Sequence, residues 1–532
     1  MTVRHIPGRV TALVSRLRRD REANVAVMFA IAAIPVLGMV GAATDYSLAT
    51  RMKAKLSSGA DSAAVASISQ FSAGWTQAMS MTTNGPVPNG ESEANDIFNG
   101  NAATTTGYLN LSVSSTVTKT GGTLNSSVQW SAQVPVVFMK VLGWQFMTIT
   151  GTSIASSTLP KYLDFYLTLD VSGSMGLPST TNEAVRMQSI NPDNYKQYPT
   201  GCTLACHFAP QNSACTDSGT QQYSTNNYCM GYAYSRVSQS ALSALINMRS
   251  TASVPKPVPG LPNAMVPGLP ASLNTDPNWG LPAVANCPTD GTDACIQLRL
   301  DAVGYAVNQL FVMANQMEVV SSQFRIGLYP FIRYLYSSYS PLTGSINGNP
   351  QTAGTINYAA ANLATLLDTN MNASLGSGGT HIDTALGSIN SLITSVGDGS
   401  STSSTLPYVF LITDGAQDNQ VKGVPNGGWS GSNHATVINP STVCSPLKNR
   451  GIVISVLYIP YVPINPANAS FASDEDDYAN NNIPNIPPSL QACASPPDSS
   501  GSYFYTANTP QAITNALKAM FNHAIMTAHL TQ

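Results

Sequence analysis

Between Ala23 and Thr44 the chain carries no charged side chain, and no other stretch constrains the fold as much. Wound as a helix it would rise about 33 Å, enough to cross a hydrocarbon core of about 30 Å. The segment before it holds Arg4, Arg9, Arg16, Arg18, Arg19 and Arg21 against Asp20 and Glu22. By the positive-inside rule that flank stays in the cytoplasm and everything beyond Asp45 lies outside. A cleaved signal peptide fits less well, because the apolar region is long and the small residues at its end run straight into further helix. The expectation is an uncleaved single-pass anchor. Pro35 is compatible with it, since neighbours or local adjustment can satisfy the freed carbonyl.

Past the apolar run a helical period continues. Leu48, Met52, Leu56, Ala60, Ala64 and Ile68 recur every four residues, with Arg51, Lys53, Lys55 and Asp61 mostly off that stripe. One long helix is expected, membrane-embedded in its first half and amphipathic in its second. The stretch Ala26–Pro35, the Asp45-Tyr46 pair, and Lys55-Leu56 followed by Ala60–Ala66 resemble the N-terminus of the TadE/TadG-like proteins of bacterial tight-adherence (Flp) pilus systems.

Residues 71 to about 160 change character. Asn84–Gly90 reads as turn material. Strand-like runs follow at Leu109–Ser114, Ser126–Phe138 and Met147–Thr152. A long helix followed by a small sheet has the architecture of a pilin-like α+β module, an analogy that names no activity.

Charged residues make up only 10% of the 532, against roughly a quarter in an average soluble domain. Such a surface is more usual outside the cytoplasm, and a net charge of −3 offers no general attraction for nucleic acid. The eight cysteines (Cys202, Cys206, Cys215, Cys229, Cys287, Cys295, Cys444 and Cys493) all lie beyond residue 200. Their even number and loop-like setting point to disulfides in an oxidising compartment, with the pairing open. Most fall in a proline-rich stretch at about 177–294 that lacks regular patterning. Cys202-Thr-Leu-Ala-Cys206-His207 is one residue too long for the usual haem attachment and reads as structural.

Around that stretch, strands alternate with helices. Phe165–Asp170, Phe324–Phe331, Tyr408–Thr413 and Gly451–Ile459 read as strands. Ile296–Ala314, Tyr358–Leu367, the segment after Thr380, and Thr509–His523 read as helices. The alternation predicts a mainly parallel sheet with helices on both faces, whose ligands sit beyond the carboxyl ends of its strands. Three polar stations fall at that edge. Asp170-Val-Ser172-Gly-Ser174 sets three oxygen-bearing side chains at alternate positions, Thr380 follows Gly378-Gly379, and Asp414 lies in Thr413-Asp-Gly415. Oxygen donors of this kind suit a hard divalent cation.

In this order the stations resemble the metal-ion-dependent adhesion site of von Willebrand factor A domains, a Rossmann-like α/β fold. The resemblance covers about 161–532 apart from the insertion. It implies Mg²⁺, or another divalent cation such as Ca²⁺ or Mn²⁺. Ser172, Ser174 and Thr380 would give hydroxyl oxygens, and Asp170 and Asp414 would give charge directly or through water. It implies also that one coordination position is kept for a partner's carboxylate.

The expected organisation is a basic cytoplasmic segment (1–22), a transmembrane helix (23–44), a helical extension with a pilin-like module (45–160), and a von Willebrand A domain (161–532). Together the two resemblances imply a TadG-type protein. It would sit in the bacterial cytoplasmic membrane, face outward, and assist assembly or anchoring of Flp/Tad pili by binding pilus or envelope proteins. A surface adhesin and a structural minor pilin are the alternatives. No catalytic role is expected, since Gly-x-Ser-x-Gly, His-Glu-x-x-His and Walker A patterns are absent. The six histidines are scattered, with His381 beside Thr380 read as a solvent-facing loop residue. The run Asp474–Asp477 reads as a solvated loop because it lacks the ligand spacing of an EF-hand.

Overall fold

The computed structural model describes residues 23–183, 297–368, 372–424, 428–432, 434–461 and 477–530. The chain divides into two compact units, 1–159 and 160–532. Cys202–His207, the proline-rich run and six of the eight cysteines lie outside the described residues, as does most of the Asp474–Asp477 run.

In the first unit one continuous helix, α1 (Ala23–Ala66), carries the apolar run and its extension. It is long and apolar enough to cross a membrane. Its early large side chains, among them Phe29, Ile34, Leu37 and Val40, are exposed. Further along, one face is covered, and it carries most of the expected stripe: Leu56, Ala60, Ala64 and Ile68 are buried together with Ala49 and Ala63, whereas Leu48 is 43% exposed. Each step of four advances about 40° on a helix of 3.6 residues per turn, so Leu48, at the start of the repeat, lies off the face that Leu56, Ala60 and Ala64 bury.

Two further helices follow, α2 (Ala73–Ser80) and α3 (Pro88–Ala103), separated by the two-residue strand β1 (Gly85–Pro86). The sequence reading of Asn84–Gly90 as turn is corrected here. Pro88 begins α3, where its missing N–H costs nothing and its fixed φ suits the first turn. Three antiparallel strands complete the unit: β2 (Leu109–Thr120), β3 (Thr123–Pro135) and β4 (Phe146–Thr158), with the sheet in the order β1-β2-β3-β4. Along β3 burial alternates, and Leu124, Val128, Trp130, Ala132 and Val134 turn inward under α1 and α3. Phe98 of α3 stacks on Trp130 with ring centroids 6.4 Å apart.

The second unit is a six-stranded sheet. Its strands are β5 (Leu163–Asp170), β6 (Phe324–Phe331), β7 (Ser340–Thr343), β8 (Leu406–Thr413), β11 (Val453–Tyr458) and β12 (Phe504–Thr506), in the order β12-β11-β8-β5-β6-β7. Neighbours are parallel except for the edge strand β7. A separate ribbon, β9 (Val421–Lys422) with β10 (Trp429–Ser430), follows β8.

Side chains leave the sheet in alternation. Phe165, Leu167 and Leu169 of β5, Phe324, Ile326 and Leu328 of β6, and Phe410 and Ile412 of β8 enter one core. That core is covered by α4 (Arg299–Met317), α5 (Ile356–Ala361) and the last helix, Pro510–Leu530. Tyr166, Tyr329, Val409, Leu411 and Val456 enter the other, covered by α6 (Ile382–Leu392) and the short helices Ser445–Asn449 and Ile486–Cys493. Burial on both faces is why β5 and β8 read as unbroken apolar runs. On this second face Cys444 and Cys493 form a disulfide.

Candidate functional site

β5 and β8 are parallel neighbours with Leu169 opposite Ile412, so the residues that leave them emerge together at the carboxyl edge. Asp170 ends β5. One of its carboxylate oxygens accepts the Ser172 N–H at 2.9 Å, and the other accepts the Thr413 hydroxyl at 2.6 Å. The first bond folds the chain back after the strand and aims Ser172 and Ser174 the same way, their hydroxyl oxygens 3.2 Å apart. A 3₁₀ turn over Gly173–Gly176 holds that arrangement. The Thr413 hydroxyl in turn accepts the Gly415 N–H at 2.9 Å, which fixes the start of the loop carrying Asp414.

Asp414 is in a different state. It is fully buried, and neither carboxylate oxygen has a hydrogen-bond partner among the described residues. The Ser174 hydroxyl and the Ala416 amide lie close enough to lower its pKa without meeting hydrogen-bond geometry. Burial first, and the neighbouring Asp170 charge second, push the Asp414 carboxyl up to about 7. Burial also raises Asp170, opposed by its bonds to Ser172 and Thr413. Two buried carboxylates side by side are unfavourable unless a proton or a cation neutralises them. Among the described residues the cation paired with Asp414 is Arg299 at the start of α4, its guanidinium 3.8 Å from Asp414 Oδ2. That is too far for a hydrogen bond, and Nη1 has no hydrogen-bond partner among the described residues.

Thr380 arrives from another direction. Its backbone forms an antiparallel bridge with Asp418, N to O 3.0 Å both ways, so the loop after Asp414 carries it to the same edge. The close approach needs glycine: Gly378 and Gly379 both have positive φ, and a Cβ on Gly379 would collide with the Asp418 carbonyl. The Thr380 hydroxyl makes no hydrogen bond among the described residues. Gln417 steadies this platform. Its side-chain carbonyl accepts the Ile382 and Asp383 N–H groups at the start of α6, and its amide donates to Asp383 and Asn419. His381 does not face solvent as the sequence suggested. It is nearly buried, with Nε2 3.1 Å from the Gln420 carbonyl.

The structure thus joins Asp170, Ser172 and Ser174 directly, sets Asp414 on the neighbouring strand end, and brings Thr380 by backbone pairing. Among the described residues no group of three or more His, Cys, Asp or Glu could hold a metal. A cation here would rest on two carboxylates and the hydroxyls. The oxygens of Asp414 fit such an ion, because a fully buried carboxylate that makes no hydrogen bond among the described residues lacks the partner that its burial calls for. Sequence reasoning missed Arg299, Thr413 and Gln417. Thr413 was within reach as the hydroxyl preceding Asp414, whereas Arg299 and Gln417 act through tertiary contacts that spacing does not signal.

Residues 23–70 match the family model described as putative Flp pilus-assembly TadE/G-like. This match supports a pilus-associated protein, and with the apolar helix it is consistent with membrane anchoring. No curated protein matches. Among solved structures the chain is similar to the pilus adhesin SpaC from Lactobacillus rhamnosus GG, at 12% identity and TM-score 0.30 over 79% of this chain and 34% of that one. It therefore spans about a third of SpaC. A point mutant of the PilB minor pilin from Streptococcus sanguinis matches at 10% identity and TM-score 0.30, over 80% of this chain and 81% of that one. The vWF domain of the type V pili tip protein Mfa5 from Porphyromonas gingivalis matches at 12% identity and TM-score 0.24, over 44% and 88%. At these TM-scores the likenesses carry no inference for this chain.

Proposed function

We propose that the protein is a TadG-type component of an Flp/Tad pilus system. It is held in the cytoplasmic membrane by α1 with residues 1–22 inside, and it presents a von Willebrand A-like domain outside. It assists pilus assembly or anchoring by recognising a pilus or envelope protein, and it performs no catalysis. Asp170, Ser172, Ser174, Thr380 and Asp414 would hold a divalent cation, Mg²⁺ or a similar hard ion. When bound, that ion supplies a Lewis-acidic position for a partner's carboxylate. The chain's own part is to fix the oxygens: Thr413 and the Ser172 amide orient Asp170, and the Asp418 bridge sets Thr380.

One observation carries the metal-dependent part of this reading, the fully buried Asp414 carboxylate, which lies beside Asp170 and makes no hydrogen bond among the described residues. The pilus context is supported by the family match at 23–70. The test is to replace Asp170 with Ala, then compare piliation and co-purifying proteins with and without chelator. Loss of piliation and of a chelator-sensitive partner, at normal membrane level, is expected. Unchanged piliation with an unchanged partner set removes the metal from the proposal.

A further inference from the structure

The connection between β3 and β4, Val136–Gln145, is apolar and yet exposed. Val137, Phe138, Val141 and Trp144 all project outward, Val141 being 90% exposed, and Lys140 is the one charged residue in the connection. An isolated apolar loop tip would be unremarkable. This one is pinned to a particular level of α1. The carboxylate of Asp45, itself buried, accepts the N–H groups of Val137, Phe138 and Met139 at 2.9, 2.9 and 2.7 Å. One turn earlier in the helix Gly41 lies under Phe138, so close that a Cβ there would collide with that side chain.

Asp45 is also the first charged residue after the uncharged run that begins at Ala23. The loop therefore meets the helix where its apolar surface ends, and its exposed side chains extend the exposed apolar surface of Leu37, Met39 and Val40. An aromatic ring, aliphatic side chains and a lysine beside the end of an apolar span match the composition of a membrane–water interface.

We propose that Val137–Trp144 is a second membrane contact, a wedge that dips into the headgroup region of the leaflet from which α1 emerges. It fixes the height and tilt of the small sheet against the bilayer. Its ligand is the lipid surface itself. The proposal rests on α1 crossing the membrane.

The test uses the full chain in vesicles of phosphatidylethanolamine and phosphatidylglycerol. An environment-sensitive fluorophore is placed at one of three exposed positions, Val141→Cys, Leu37→Cys or Val65→Cys, with the dye-treated unsubstituted chain as blank. Val65 lies about 36 Å further along the helix from Gly41. Spin-labelled lipids then report contact with acyl chains. Expected are blue-shifted emission and several-fold quenching at Leu37→Cys and Val141→Cys, the latter stronger with a shallow spin label, and neither change at Val65→Cys. Quenching at Leu37→Cys with a water-like Val141→Cys overturns the wedge and leaves the anchor intact. A blue-shifted but unquenched Val141→Cys shows that protein covers the loop, which also overturns it. An unquenched Leu37→Cys removes the anchor, and the wedge with it.

Discussion

Asp414 Oδ2 and Arg299 Nη1 stand 3.8 Å apart in a buried setting, and no hydrogen bond joins them. The guanidinium is anchored elsewhere, through Nη2 to the Pro460 carbonyl at 3.2 Å. It offsets part of the charge of the Asp170–Asp414 pair without satisfying it.

Replacing Arg299 with Met should therefore destabilise the protein most when no cation is present. Removing one member of a buried charge cluster costs about 3–5 kcal/mol. The expected result is a lower Tm in chelator that millimolar Mg²⁺ largely restores, with a larger Mg²⁺-dependent rise than in the unsubstituted protein. Equal Mg²⁺ responses in the two proteins would count against a cation at this edge.

The Asp414 carboxyl holds its proton more tightly in the folded protein than its ordinary value of 3.8 allows, being pushed up to about 7. The folded state binds more protons than the unfolded state between those values, so this group's contribution to stability falls as pH rises from about 3.8 through about 7. Asp414→Asn should flatten that slope in chelator and gain about 1–3 kcal/mol at pH 8. It should also lose the response to Mg²⁺. Denaturation midpoints at pH 5 and pH 8, with and without the ion, measure all of these.

Asp498 has the opposite sign. Its carboxylate accepts the Ser500 and Gly501 N–H groups, the Ser500 and Tyr503 hydroxyls, and His523 Nε2 of the last helix. Despite desolvation, these bonds hold its pKa well below 3.8. The stability it contributes is complete above the unfolded value and is lost as pH falls below it. Asp498→Asn should cost about 1–3 kcal/mol at pH 7, and the gap to the unsubstituted protein should close toward pH 3. A gap that does not change with pH would mean that the carboxylate charge plays no part.

The Cys444–Cys493 bond closes a loop with a sequence separation of 49. The chain-entropy argument gives such a crosslink about 4 kcal/mol. Replacing both cysteines with Ser should lower Tm by several degrees and move the first thermal transition into this face of the sheet. Amide exchange of Val453–Tyr458 and Ile486–Cys493 is the local readout.

The strands at the carboxyl edge were legible because a strand buried on both faces needs an uninterrupted apolar run, and β5 ends in a carboxylate while β8 is followed at once by one. The glycines before Thr380 were legible for a related reason, since a loop that must approach another backbone closely cannot carry side chains. Helix α3 was hidden, because Pro88, Asn89 and Gly90 carry turn signals, and the face it buries, with Gly90, Ala94, Phe98 and Ala102, becomes visible only in the packed structure. Arg299 sat unnoticed in a helical pattern whose partner strand is over a hundred residues away in sequence. The wedge was equally silent, since Asp45 acquires its role from amides 92 to 94 residues later.

One junction close to the candidate site has a wider consequence. Just after the 3₁₀ turn, the Ser179 N–H donates to the Gln297 carbonyl at 2.9 Å and its hydroxyl to the Gln297 side chain at 2.6 Å. Glu183 accepts the Gln297 N–H at 2.6 Å, and Pro178 bridges Leu298. Both ends of the stretch 184–296 are thus tied into one knot, and β5 and α4 continue as if adjacent in sequence. The edge that carries Asp170, Ser172 and Ser174 is closed by hydrogen bonds between the flanks themselves, residues 178–183 on one side and 297–298 on the other.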